Sequence, residues 1–91
     1  MRIFSKSTLR DFYEKHVDSK EQLLTWYKVA TNANWKTFIE IKKYFNSVDC
    51  IREGLLVFNI KGNHYRLVVD FNFKLQWAWF SPLLIRQKIR D

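Results

Sequence analysis

The stretch "VFNIKGNHYRLVVDF" (residues 57–71) decides the fold. Gly62-Asn63 sits between two apolar runs interleaved with polar residues. A Gly-Asn pair tolerates the positive φ that a tight turn demands, and alternation of period two marks strands. The stretch therefore reads as a β-hairpin with a two-residue turn. That turn sets the register: Lys61 opposite His64, Ile60 opposite Tyr65, Asn59 opposite Arg66, Phe58 opposite Leu67 and Val57 opposite Val68. Successive side chains point to opposite faces. One face then carries Phe58, Ile60, Tyr65, Leu67, Val69 and Phe71, and must be the core. The other carries Asn59, Lys61, His64 and Arg66, with Val57 and Val68 beneath them.

Outward from the hairpin, Leu55–Lys61, His64–Phe73 and Leu75–Phe80 read as three antiparallel strands. Upstream the period is helical. Residues 2–5 form a first strand, and Ser7 or Thr8 caps a helix presenting Leu9, Phe12, Tyr13 and Val17 on one face. "SKEQ" (19–22) is a capping-box pattern before a second helix with Leu23, Trp26, Tyr27 and Ala30 as its buried stripe, fading near "TNAN" (31–34). "TFIE" (37–40) repeats the box before a short third helix that buries Phe38, Ile41 and Phe45 and leaves Lys36, Lys42 and Lys43 wet. "NSVDC" (46–50) is a turn, and Ile51 is a place for a strand to begin. The pattern predicts an α+β fold: two to three N-terminal helices on one face of a small, mainly antiparallel four-stranded sheet. Residues 1–91 form one domain on this reading.

The bulk composition agrees. Four Trp, four Tyr and eight Phe within a 47% apolar chain argue against disorder. Sixteen Lys+Arg against nine Asp+Glu leave a net charge of +7, which favours polyanionic partners, although a solubilising bias would look the same. The single Cys50 allows no internal disulfide and fits a reducing cytoplasm, where it reads as a small buried apolar residue. No apolar run is long enough to span a membrane.

On the polar face, adjacent strands bring Asn59, Lys61, His64 and Arg66 close together, since opposed Cβ atoms lie about 5 Å apart. Clustered cations repel, and an anion between them relieves that cost. A phosphate suits the set, with Arg as a forked donor and Lys as a point charge. A solvated strand face is the plain alternative. The chemistry open to such a face is phosphodiester transfer, in which an RNA 2′-hydroxyl attacks its own phosphate while Lys and Arg stabilise the added negative charge without a metal. His64 is the nearby group of a type that moves protons near neutral pH. Asp70 shares the face, but one carboxylate does not build a two-metal site. Trp77 and Trp79 share a face of the last strand; they suit base stacking or core packing, and packing is expected for at least one.

"VFNIKGNHYRLVV" resembles the signature hairpin of HigB-type toxins of bacterial type II toxin–antitoxin systems, and "STLRDFYEKH" and "WKTFIEIKKYF" are similar to other parts of that family. The resemblance covers about residues 1–80. It implies a RelE-like ribonuclease fold and metal-independent cleavage of mRNA on the translating ribosome, with no cofactor. It also implies a cytoplasmic protein silenced by a helix-turn-helix (HigA-like) antitoxin, through which alone it meets operator DNA. By position, the family's basic hairpin residues fall on Lys61 and Arg66, while Asn59, Gly62 and Asn63 match its turn and flanks. The expected catalytic set is Lys61, Arg66 and His64. RNA would be bound by Asn59, Lys61, Asn63 and Arg66.

The departure comes after "WAWF". There the family continues through an Arg-containing strand, a Gly-Thr-His segment and a Tyr, whereas this chain reads "SPLLIRQKIRD" (81–91). Pro82 lacks the N–H of a central strand, and Ser81-Pro82 suits the start of a short basic helix. Two readings follow from the resemblance: an active endoribonuclease, or a catalytically impaired toxin that only binds RNA or its antitoxin. A small basic domain unrelated to nucleic acid is the third.

Overall fold

Helices and strands alternate unevenly along the chain, and the computed structural model describes residues 1–62, 64–80 and the backbone of 86–87. Strand β1 (Arg2–Phe4) leads into helix α1 (Lys6–Lys15). The cap is Ser5, at φ 67° and with no side-chain cap bond, so Ser7 and Thr8 lie inside the helix. Leu9 is buried as expected and Phe12 and Tyr13 are half-buried. Val17 departs from that stripe. The helix stops before it, the chain enters a 3-10 turn (Val17–Ser19), and Val17 is 70% exposed.

Helix α2 (Lys20–Asn32) buries Leu23, Trp26 and Ala30, spaced as one helical face requires. The capping box predicted at its start does not form. Ser19 has helical backbone angles, and its Oγ donates to the carbonyl of His16 at 2.7 Å. Gln22 instead reaches the hairpin, as described below. Helix α3 (Phe38–Tyr44) comes closer to its predicted cap. Thr37 Oγ1 accepts from the Glu40 N–H at 3.4 Å, while Glu40 Oε1 takes the N–H of Lys36, one residue upstream of the cap. Ile41 is buried beneath it.

Strands β2 (Asp49–Arg52), β3 (Leu55–Ile60), β4 (Tyr65–Asn72) and β5 (Trp77–Phe80) join β1 in the order β1-β5-β4-β3-β2. The β1–β5 pair is parallel and the others are antiparallel. The sheet thus has five strands across it where four were predicted. The extra one is β2, which begins before Ile51. All its residues are exposed, so no apolar alternation announced it. Beyond β5, the two-residue β6 (Arg86–Gln87) pairs antiparallel with Tyr65–Arg66 of β4. Arg86 and Gln87 are therefore strand, not the basic helix expected of the tail. The predicted effects of Ser81 and Pro82 lie outside the described residues.

The hairpin register is the predicted one: Ile60 opposes Tyr65, Asn59 opposes Arg66, Phe58 opposes Leu67 and Val57 opposes Val68. The face bearing Phe58, Ile60, Tyr65, Leu67, Val69 and Phe71 is buried under the helices. Trp26 of α2 anchors this packing, with its ring 5.1 Å from Phe58 and 5.5 Å from Phe80. At the other end of the β3–β4 hairpin, Gly54 has φ +85° and its carbonyl accepts from Phe71 N at 2.7 Å. A Cβ at Gly54 would stand 2.7 Å from the Phe71 carbonyl oxygen, so only glycine fits there without movement.

Candidate nucleic-acid interface

The predicted site residues separate into two groups. Asn59 and Arg66 are a directly opposed pair on the outer face of β3–β4, Asn59 half-buried and Arg66 exposed. Lys61 and His64 sit at the hairpin tip, where the ladder has already ended at Ile60–Tyr65. The His64 N–H donates to the Lys61 carbonyl at 3.1 Å, which is the bond the turn requires. But Lys61 is left-handed, at φ 55°, and so leaves the strand alternation. Its N–H is taken by Gln22 Oε1 from α2. Asn63, predicted to touch RNA, lies outside the described residues.

The tip therefore leans toward the helices. Tyr65 is buried, yet its hydroxyl reaches Asp18 Oδ1 at 2.5 Å. This bond holds the Asp18 carboxyl below its ordinary value of 3.8, opposed by partial desolvation and reinforced by the charges of Lys61 and His64. The same bond, with burial, pushes the Tyr65 hydroxyl above its ordinary 10.0. His16 lies with its ring 5.5 Å from that of Tyr65, and His64 with its ring at 6.4 Å. Asp18, Gln22 and His16 were missed because they come from 39 or more residues upstream in the chain. The available signal was Tyr65 itself. A tyrosine on an otherwise apolar face needs a partner for its hydroxyl.

His64 is oriented by the turn. Its Nδ1 lies 2.9 Å from the Lys61 carbonyl oxygen, which can only accept, so Nδ1 carries the proton in this contact. In the neutral ring the exposed Nε2 is then the proton acceptor. This is the tautomer a general base needs. The backbone of Arg66 also pairs in register with Arg86 of β6, a position expected in a helix.

Farther along that face, Asp70 carries an exposed ion pair with Arg52 at 3.9 Å, a long contact of small energetic value. Beside it, Trp77 and Trp79 are 37% and 46% exposed. Neither enters the core, contrary to the packing expected for at least one of them. The inward residues of β5 are Ala78 and Phe80. Phe4 of β1 stacks on Trp79 with centroids 4.5 Å apart and planes 19° apart, and meets Trp77 edge-on at 5.6 Å. Cys50 is also exposed, with its Sγ 3.0 Å from the Arg52 carbonyl, because the strand that carries it is the sheet edge. It is not the buried apolar residue predicted.

Among the described residues, no group of three or more His, Cys, Asp and Glu side chains is placed to hold a metal ion. No helix there is long and apolar enough to cross a membrane. No curated protein matches the chain. A family model does match, over residues 19–84: the HigB toxin, the RelE-like toxic component of a toxin–antitoxin system. The matched region contains α2, α3 and the entire β3–β4 hairpin with Asn59, Lys61, His64 and Arg66. The chain belongs to the HigB toxin family, whose members act opposite an antitoxin partner.

Proposed function

We propose that this toxin is an endoribonuclease that cleaves mRNA on the translating ribosome in the cytoplasm, and that a helix-turn-helix antitoxin silences it. The observation that carries this reading is the β3–β4 hairpin of a +7 chain, with Asn59 beside Arg66 on its outer face and Lys61 and His64 joined at its tip. In the proposed step an RNA 2′-oxygen forms a bond to the adjacent phosphorus while the bond to the 5′-oxygen breaks. One proton leaves the 2′-hydroxyl, and solvent water supplies one to the departing 5′-oxygen. Arg66 and Lys61 stabilise the extra charge on the phosphoryl oxygens, a task cationic donors perform without a metal. His64 Nε2 accepts the first proton. Asn59 and Asn63 position the strand.

A second reading is favoured by one sequence observation. Residues 81–91 contain no Gly-Thr-His segment and no Tyr. On that reading the chain keeps RNA or antitoxin binding and has lost cleavage.

Induced expression in cells lacking the antitoxin separates the two. Growth arrest, with new mRNA 5′ ends mapped inside ribosome-bound coding sequence, is the expected result. Soluble protein that binds RNA in a salt-dependent way, with neither arrest nor new ends, would replace the first reading by the second.

A further inference from the structure

The outer face of the sheet carries an aromatic cluster that the proposed phosphate chemistry does not use. Phe4, Trp77 and Trp79 come from the adjacent strands β1 and β5, and Phe4 meets both indoles. Large exposed rings are unfavourable in water, yet here two indoles remain more than a third exposed while the smaller Phe4 is half-buried against them. Phe4 covers one face of Trp79 and fixes its plane. The Arg2 guanidinium lies 5.5 Å from the Phe4 ring centre and adds positive charge at the rim. The result is a stacked pair in which Trp79 keeps 46% of its surface exposed.

We propose that this stack is a base-binding platform: an unpaired RNA base lies on Trp79, in line with Phe4. The inference rests on the RNA-cleaving reading and names a second contact for the same strand. Its position supports the assignment. Trp79 is opposite Asp70, and Asp70 is four residues along β4 from Arg66, or roughly 14 Å at the usual rise of a strand. A strand whose phosphate sits at Arg66 therefore reaches the platform within a few nucleotides. Asp70 lies in a long 3.9 Å ion pair with Arg52, which leaves little net positive charge beside Trp79, so the neutral face of a base fits there better than a phosphate. Arg66 and Arg2 flank the two ends, which matches the backbone charge of a nucleic acid better than that of an acidic or neutral peptide.

The test uses a short oligoribonucleotide made uncleavable by 2′-O-methylation. It is bound to the full chain and to the Trp79→Leu, Trp79→Phe and Arg66→Ala variants over a range of salt. Base–aromatic stacking of ordinary strength predicts that Trp79→Leu weakens binding about ten- to a hundred-fold, with Trp79→Phe much closer to the parent. The slope of log affinity against log salt should stay unchanged in both. Arg66→Ala should lower that slope by about one. Equal affinity of parent and Trp79→Leu overturns the platform. So does a Trp79→Leu variant that binds RNA normally but loses the antitoxin. An Arg66→Ala variant with unaltered affinity and slope overturns the underlying RNA reading instead. Should Trp79→Leu not fold, the parent's own fluorescence decides. Trp26 and Trp35 are buried, so quenching by a base-carrying probe but not by an abasic one reports the exposed indoles. Equal quenching by both probes overturns the platform.

Discussion

The stem and the tip of the β3–β4 hairpin are neighbours in sequence and obey different rules. In the stem, six consecutive pairs from Leu55–Asp70 to Ile60–Tyr65 keep strict alternation, and each side chain lies on the face that parity assigns. At the tip the alternation fails. Lys61 adopts a left-handed backbone, Gln22 takes its N–H, and Tyr65 ties the base of the turn to Asp18. Continuous backbone pairing enforces a period. Once pairing stops, the nearest distant polar group decides. The inner stem should therefore govern stability, the tip should tune it weakly, and the exposed polar side chains of the outer stem, Arg66 above all, should hardly affect it, unlike the buried Val57 and Val68 on the same face.

The largest effect should come from the inner stem. Phe58→Ala removes a fully buried ring packed on Trp26 and Phe45, and should cost about 3–5 kcal/mol in chemical denaturation. A cost near zero would mean that the predicted face is not the core. Next comes the opposite end of the hairpin. Gly54→Ala forces a Cβ into the Phe71 carbonyl at positive φ and should cost about 1–3 kcal/mol by the same measurement.

The tip should respond less, and in a pH-dependent way. Asp18 has a lowered pKa in the fold, so its contribution is complete above 3.8 and is lost as pH falls through the lowered value. Tyr65 has a raised pKa, so its contribution is complete below 10.0 and is lost as pH climbs through the raised value. Tyr65→Phe should lower Tm at neutral pH, and the gap from the parent should close in acid. A gap independent of pH would show that lost packing, not the Asp18 bond, is responsible. Gln22→Ala should have a smaller effect still, because it frees an exposed N–H to bond with water.

The same contrast explains what was legible in the sequence. The alternation of residues 55–71 carried the register, the core face and the Asn59–Arg66 pair. The spacing of Leu23, Trp26 and Ala30 carried α2. Strand β2 was legible only as a strand start at Ile51, because "DCIR" has no buried face and its place at the sheet edge depends on pairing with β3. The cap of α2 was misread because Ser19 and Gln22 met stronger partners in space than each other. At least one of Trp77 and Trp79 was expected to help fill the core because aromatic residues usually do. Parity alone placed them together, and only the strand order β1-β5-β4 showed that their face looks outward.

The central claim is that Arg66, exposed on the outer stem, serves the chemistry without holding the fold. Arg66→Ala tests it most directly, with thermal unfolding and mRNA cleavage measured on the same preparation. The account predicts stability within about 0.5 kcal/mol of the parent, together with loss of cleavage. A variant that melts several degrees lower, or that stays folded and still cleaves, would contradict it.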